Sequence, residues 1–182
     1  MKKFIAIMLL SAVLANFSAC TNDSSPEVSE NSDDSKHFIQ QLPFPDIKIS
    51  IPEDYETTSS QYIDEFYKKG DASVIVTLKE ISESQKSMDN LVYDAIYQYK
   101  QTFDTLTEIS EEDFTTKGYD GRIKEIRCSI VGEQSSLNMS FCLGYIIGKN
   151  SFYIITCSVP SDQYSSFSDE FKEIIKSAVP QN

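Results

Sequence analysis

Histidine is nearly absent from this sequence: the 182 residues contain only one, His37. Nucleophilic devices of the Ser-His-Asp and Cys-His types need a histidine that is held in a rigid site. His37 precedes the first predicted strand, so we interpret it as a solvent-exposed linker residue. A histidine-rich metal site is excluded by the same count. The sequence therefore predicts no histidine-based catalysis and no histidine-based metal site.

Glycine-rich phosphate-binding motifs are also missing. Neither G-x-x-x-x-G-K-[ST] nor G-x-G-x-x-G occurs, which excludes nucleotide binding by those devices. Gly118 and Gly121 are interpreted as parts of a turn. Carboxylates are abundant, but their spacing does not match an EF-hand loop. We therefore predict no metal and no cofactor.

Basic residues are scarce. Sixteen Lys and Arg face 28 Asp and Glu, which gives a formal net charge of −12. If residues 1–19 are removed, Lys2 and Lys3 are lost, and 14 basic residues remain against 28 acidic ones, a net charge of −14. Binding to DNA or RNA by phosphate neutralisation needs a basic face. We therefore expect no nucleic-acid partner and no electrostatic attachment to anionic lipid.

The N-terminus carries the pattern of an export signal. Two lysines precede an apolar run from Phe4 to Ala15 that only Ser11 interrupts, as in secretory signals. This run is shorter than the roughly 20 residues that span a bilayer. The exit Phe17-Ser18-Ala19-Cys20 resembles the bacterial lipobox, which implies that Cys20 becomes the acylated first residue of a lipoprotein, with palmitate among its acyl chains. The alternative is an ordinary signal peptide cleaved near Ala19.

Three segments follow from this pattern. Residues 1–19 are predicted to be the signal peptide, and 20–37 the lipidated Cys20 with an acidic tether. Five acids and one basic residue, Lys36, lie within 21–36 beside a single aliphatic residue, a composition typical of disordered segments. Residues 38–182 are long enough for one domain with its own core. We expect this domain to be lipid-anchored to the cell membrane and to face away from the cytoplasm.

The domain alternates strand and helix patterns. Ile47, Ile49 and Ile51 alternate with polar residues, which indicates a strand. Segment 88–103 has an apolar face at helical spacing, with Ser87 as its N-cap. A second helix is predicted over 166–178, capped by Ser161 or Ser165. Further strands are predicted at about 61–67, 73–80, 106–110, 112–117, 121–131, 137–147 and 151–159.

This order, βββ-α-βββββ-α, predicts an α+β fold. Tight hairpins indicate an antiparallel sheet, and the two amphipathic helices must bury their apolar faces against it. The predicted architecture is an α/β/α sandwich.

Several landmarks of the domain resemble the PsbP-like superfamily. They are Ile51-Pro52-Glu53-Asp54-Tyr55, the helix after Ser87, the turn Thr116–Gly121, the run Gly148–Thr156 and a terminal helix with Phe171, Ile174, Ile175 and Ser177. The superfamily includes PsbP of the oxygen-evolving photosystem, the Ran-binding Mog proteins and bacterial lipoproteins. The resemblance covers about 44–179 and implies a binding or assembly subunit. It carries no functional residue over to this chain.

Three cysteines, Cys128, Cys142 and Cys157, fall in predicted strands. If Lys149-Asn150 is a two-residue turn, Cys142 and Cys157 face each other directly. An exported protein lies in a disulfide-permissive compartment, but this register makes them a hydrogen-bonded pair, a less common site for a bridge. A disulfide between Cys142 and Cys157 and a set of buried thiols both remain open.

Tyr93 and Tyr97 are the candidate interface residues. At 100° per residue they lie about 140° and 180° from Met88, outside the apolar face. Exposed tyrosines are frequent anchors of protein interfaces. Alternatively, they flank the core or pack under the N-terminal segment.

Three hypotheses for the function follow. The first is a membrane-anchored, non-catalytic binding or assembly module with an unknown protein partner. The second is a carrier of a small apolar ligand, held between helix 88–103 and the sheet. The third is an envelope hydrolase that uses carboxylates alone, which requires two carboxyl groups about 5–10 Å apart in a deep cleft.

Overall fold

The computed structural model describes residues 38–41, 47–60, 66–82, 86–132 and 135–181. The predicted signal peptide, Cys20, the acidic tether and His37 lie outside the described residues. No helix within the described ranges is long and apolar enough to cross a membrane.

Ten strands and two α-helices make up the described fold. The strands in the first half are β1 (Phe38–Gln41), β2 (Ile47–Pro52), β3 (Glu56–Thr58), β4 (Phe66–Lys69) and β5 (Ala72–Glu80). Helix α1 (Met88–Thr102) follows. The second half contains β6 (Thr105–Thr116), β7 (Tyr119–Val131), β8 (Ser136–Ile147), β9 (Ser151–Pro160), a 3-10 turn (Tyr164–Ser166), α2 (Ser168–Ser177) and β10 (Val179–Pro180).

Seven of these strands form one antiparallel sheet in the order β3-β4-β5-β9-β8-β7-β6. A smaller sheet has the order β1-β2-β10. Because β10 directly follows α2 and pairs with β2, the small sheet joins the start of the domain to its end.

The two helices cover opposite faces of the large sheet. Successive side chains of a strand point to opposite faces, and β8 shows the division clearly. Phe141, Leu143 and Tyr145 pack with α1, whereas Cys142 and Ile146 pack with α2 and β2. The fold is therefore α+β with a helix on each side of the sheet, as the sequence predicts.

The N-caps of the two helices differ. The Ser87 side chain accepts a hydrogen bond from the Asn90 backbone N–H at 3.4 Å, so the predicted N-cap of α1 is confirmed. The N-cap of α2 is Phe167, which makes no side-chain cap hydrogen bond. The predicted cap at Ser161 or Ser165 is wrong because the 3-10 turn intervenes before the α-helix begins.

The strand predictions need three corrections. The segments 106–110 and 112–117 form a single strand, β6, which continues through a register shift between Glu108 and Ser110. A bulge of this kind absorbs one extra residue without ending the strand. Of the predicted strand 61–67, the described part belongs to β4, which continues to Lys69. The short strands β1, β3 and β10 were not predicted.

Candidate functional site

A groove of about 200 Å³ runs between α1 and the strands β6 and β7. One wall is helical and carries aromatic and aliphatic side chains, while the sheet side is charged. The lining residues are Asp89, Val92, Tyr93, Ile96, Tyr97, Lys100, Glu108, Glu111, Arg122 and Lys124.

Two tyrosines form the outer edge of the helical wall. Leu91, Val92, Ile96 and Tyr99 turn the apolar face of α1 into the core, which leaves Tyr93 and Tyr97 on the outside. They are 69 % and 48 % exposed, and their rings stack with centroids 6.4 Å apart. The predicted outward orientation of both tyrosines is confirmed, whereas their role in an interface stays a prediction.

Arg122 lies at the floor of the groove and is held by three carboxylates. It stands opposite Asp113 in the β6–β7 register. Its Nε donates to Asp113 at 2.6 Å and its Nη2 donates to the second oxygen of Asp113 at 3.3 Å. Its Nη1 donates to Asp89 at 2.7 Å and lies 3.3 Å from Glu111. Arg122 therefore ties the first turn of α1 to the edge strand β6.

Lys124 is the second basic residue of the floor, two positions further along β7 on the same face. Its Nζ lies 2.8 Å from Glu108 and also forms an ion pair with Glu111, its partner in the strand register. Glu108 in turn accepts a hydrogen bond from Lys100 of α1 at 3.0 Å. The network therefore bridges the helix and the sheet at both ends of the groove.

These ion pairs fix the charges of the groove. Hydrogen bonds from Lys124 and Lys100 hold the pKa of Glu108 below its usual range, and Arg122 does the same to the pKa of Asp113. Burial opposes the charge of Lys124, but its bonds to Glu108 and Glu111 raise its pKa above the ordinary value. A general acid needs a carboxyl whose pKa is raised. The pKa values of Glu108 and Asp113 are lowered instead, so neither carboxyl suits the role of a general acid.

Tyr145 lies beside this network but does not join it. It pairs with Arg122 across β7 and β8, is fully buried, and stacks on Phe152 with centroids 5.7 Å apart. Its hydroxyl has no hydrogen-bond partner among the described residues. Burial, with smaller contributions from Tyr99, Glu111 and Glu108, raises its pKa well above the ordinary value.

Sequence reasoning found the tyrosines but missed the basic floor. Tyr93 and Tyr97 follow from helical spacing alone. Arg122 and Lys124 share a strand face with the apolar Ile126 and Cys128, and two charged residues at that alternation signal a polar end to a buried face. The opposing acidic run Glu111-Glu112-Asp113 supplies their partners. The sequence does not reveal this pairing, because the pairing depends on the register between β6 and β7.

The candidate cysteines are brought together in the predicted register. Cys142 and Cys157 are direct cross-strand partners in β8 and β9, and both are fully buried. All three cysteines in the strands, these two and Cys128, are free thiols in the structure. The disulfide between Cys142 and Cys157 stays a prediction. Burial raises the pKa of Cys128 and of Cys142 to about 12, which keeps both thiols protonated and unreactive. Cys20 lies outside the described residues.

Metal binding finds no support in this geometry. No group of three or more His, Cys, Asp or Glu in the described part of the chain is arranged to hold a metal ion. The carboxylates of the groove are instead paired with Arg122, Lys124 and Lys100. The arrangement is therefore a charged groove, cross-linked by ion pairs, with an aromatic edge.

The order and packing of these elements define the PsbP-like fold. It is shared with the cyanobacterial PsbP (CyanoP) of Synechocystis sp. PCC 6803, at a TM-score of 0.60 and 14 % identity over 86 % of this chain and 99 % of that one. The Ran-binding protein Mog1p of Saccharomyces cerevisiae matches with a TM-score of 0.55 and 11 % identity, over 80 % of this chain and 96 % of that one.

A third structure with this fold is LpqN, a protein involved in cell envelope biogenesis of Mycobacterium tuberculosis. It has a TM-score of 0.52 and 10 % identity, over 80 % of this chain and 92 % of that one. No protein-family model and no curated protein sequence matches the chain. At identities of 10–14 %, the structural likeness establishes the fold alone. The resemblance seen in the sequence implies the same fold.

Proposed function

We propose that the chain is a non-catalytic binding module for a protein partner, lipid-anchored to the membrane and facing away from the cytoplasm. The observation that carries the proposal is the exposed, stacked pair Tyr93 and Tyr97 at the edge of a pre-ordered charged groove. Tyrosine is enriched at the energetically dominant positions of protein interfaces because it buries a large rigid surface and keeps a polar tip.

The chemistry of the groove favours binding over catalysis. Glu108 and Asp113 are carboxylates with lowered pKa values, paired to fixed cations, which does not suit the acid step of a hydrolase. The buried thiols of Cys128 and Cys142 have raised pKa values, and a thiol in that state is a poor nucleophile. These features support the module over the carboxylate hydrolase.

The packing beneath α1 also argues against a carrier of apolar ligands. The space that a carrier would use is filled by side chains of the core: Tyr99 meets Phe103 and Phe141 with ring centroids 6.0 and 5.3 Å apart. The groove itself measures about 200 Å³ and is lined by six charged residues. Pockets for small molecules commonly enclose 300–1,000 Å³, mostly apolar.

The anchor is the second part of the proposal. It depends on the lipobox-like sequence that ends at Cys20 and on the acidic tether, which would hold the domain away from an anionic bilayer. The involvement of LpqN in cell envelope biogenesis is compatible with an envelope location. Cys20→Ser should move the protein from the membrane fraction to the soluble exported fraction and abolish incorporation of a fatty-acid analogue. Retention of both properties would contradict the anchor.

The binding function is tested by comparing variants in one capture experiment. The lipidated chain and its Tyr93→Ala/Tyr97→Ala variant are used to capture partners from detergent-solubilised envelopes of the host. A protein retained by the wild type and lost in the double variant supports the proposal. The matched control is Asp169→Ala/Glu173→Ala, which alters two exposed residues one turn apart on α2, on the opposite side of the sheet, and should retain the partner. Identical capture by all three chains would refute a role for this surface.

A further inference from the structure

We infer that the groove receives a lysine- or arginine-bearing segment of the protein partner. This rests on the proposed function, which it extends from the location of the binding surface to the chemistry of what binds there. The inference depends on which hydrogen-bonding groups of the groove are already used, on where its charges lie in depth, and on the two tyrosine rings at its edge.

Both cations of the floor are already paired with carboxylates. Arg122 donates from Nε, Nη1 and Nη2 to Asp113 and Asp89, and Lys124 is shared between Glu108 and Glu111. An anionic ligand that approached either cation would therefore meet the carboxylate partners of that cation as well. Each carboxylate has about four acceptor positions, so acceptor capacity remains in the groove for a positively charged donor.

The charges are also separated by depth. The side chains of Asp89 and Asp113 are 82 % and 70 % exposed, whereas those of Arg122 and Lys124 are 16 % and 11 % exposed. At the Arg122 end of the groove an approaching group therefore meets negative oxygens first and the cation only below them, whereas Lys100, whose side chain is 50 % exposed, lies at the opposite end. The network has four carboxylates and three cations including Lys100, so its net charge is −1. A positively charged group is the complement of such a surface.

The tyrosine rings add a second feature that favours a cation. The face of an aromatic ring attracts an ammonium or guanidinium group within about 6 Å of its centre. Tyr93 and Tyr97 stand at the outer edge of the groove, one helical turn apart, on the same helix as Asp89. A guanidinium or ammonium group entering the groove can contact a ring face and a carboxylate together.

Two other occupants are less suitable by charge. The chain's own segment 21–36 has five acids and one basic residue, and the whole chain has a net charge of −12. The tether and a second copy of the chain would therefore both bring negative charge to a negative rim. Anionic lipid and nucleic acid are disfavoured for the same reason.

The experiment measures binding of short peptides to the full chain in detergent. The probe is a hexapeptide in which Arg or Lys alternates with Gly, labelled with a neutral dye and followed by fluorescence anisotropy. A hexapeptide with Glu at the same positions and a neutral oligosaccharide, maltohexaose, serve as comparisons. We expect the basic peptide to bind at least tenfold more tightly than either comparison, and to weaken as salt is raised.

Variants locate the binding in the groove. Asp89→Asn and Tyr93→Ala should each weaken binding of the basic peptide by about fivefold to tenfold, in line with one lost charge contact or one lost cation–π contact. Asp169→Asn makes the same charge change on α2, across the sheet from the groove, and should alter the affinity by less than twofold. Equal weakening by Asp89→Asn and Asp169→Asn would show nonspecific attraction and overturn the inference. Tighter binding of the acidic peptide or of the oligosaccharide would also overturn it.

Failure of this inference can be distinguished from failure of the proposed function. A partner that is captured through Tyr93 and Tyr97 but brings no Lys or Arg to the groove overturns this inference and leaves the binding module intact. Loss of tyrosine-dependent capture would overturn the proposed function itself, whichever peptide binds.

Discussion

Two buried tyrosines, Tyr99 and Tyr145, differ in the hydrogen bonding of their hydroxyl groups. Tyr99 and Tyr145 both pack between α1 and the sheet. The Tyr99 hydroxyl shares a hydrogen bond with Thr156, while that of Tyr145 has no partner among the described residues. An unpaired buried polar group costs free energy, whereas a buried hydrogen bond contributes a modest net stabilisation.

Removing the two hydroxyls should therefore have opposite effects. Tyr145→Phe should leave the free energy of unfolding unchanged or raise it by up to about 1 kcal/mol, because only a desolvated, unpaired group is lost. Tyr99→Phe should lower it by about 1 kcal/mol, because Thr156 loses its partner. Urea unfolding followed by circular dichroism measures both. A loss of more than about 1 kcal/mol for Tyr145→Phe would show that its hydroxyl is hydrogen-bonded.

The residues of the groove show which parts of the candidate site can be predicted from the sequence. Tyr93 and Tyr97 are predictable because helical spacing alone places them outside the apolar face. The partners of Arg122 and Lys124 are not, because they depend on the register between β6 and β7. That register shifts at Glu108 and Ser110, and no residue at this point marks a bulge in the sequence.

Among the elements, α2 packs closely on β8 at Gly144. A Cβ atom built there would lie 2.4 Å from Cγ2 and 2.9 Å from Cγ1 of Ile175. Ile175 is fully buried and Gly144 lies in the buried part of β8, so a Cβ at Gly144 would have to displace packed core atoms. Glycine is therefore required by helix–sheet distance, not by a backbone dihedral angle.

Gly144→Ala should accordingly destabilise the fold by about 1–3 kcal/mol, the usual cost of inserting one carbon into a packed core. The measurement is again urea unfolding. Ile175→Ala removes the clashing carbons and supplies a double-mutant cycle. The double variant should be less destabilised than the sum of the two single variants by about 1 kcal/mol or more. Additive effects would show that the helix is not held against Gly144.

Among the elements, those with a strong hydrophobic periodicity are the ones that the sequence predicts accurately. Helix α1 was predicted within one residue of its observed end, because its apolar positions repeat over four turns and Ser87 caps it. Short strands such as β3 and β10 were missed since two or three residues carry no measurable alternation. Their pairing depends on tertiary contacts, in which β10 joins β2 far along the chain.

For the molecule as a whole, the buried titratable groups set the response to alkaline pH. Burial raises the pKa of Cys128 and Cys142 to about 12 and raises that of Cys157 well above its ordinary value. The pKa values of four tyrosines are also raised, chiefly by burial: Tyr55, Tyr99, Tyr145 and Tyr164. In the unfolded chain the thiols titrate near pH 9 and the phenols near pH 10.

Stability should therefore fall as the solution becomes alkaline. Below about pH 8 these groups are protonated in both states, and their contribution is fully present. Above that pH the unfolded chain releases protons that the folded chain retains, so the free energy of unfolding declines progressively towards pH 12. Urea titrations from neutral to alkaline pH measure this decline. A free energy of unfolding that stays constant between about pH 8 and 11 would contradict the burial of these groups.

The binding role of the α1 surface is most directly tested by site-specific photo-cross-linking in intact host cells. Benzoylphenylalanine replaces Tyr93 or Tyr97 in the lipidated chain, and the same group at Asp169, an exposed residue of α2 across the sheet, is the control. The account predicts that positions 93 and 97 give one common protein adduct, which position 169 does not give. No adduct from the two tyrosine positions, or the same adducts from all three, would contradict it.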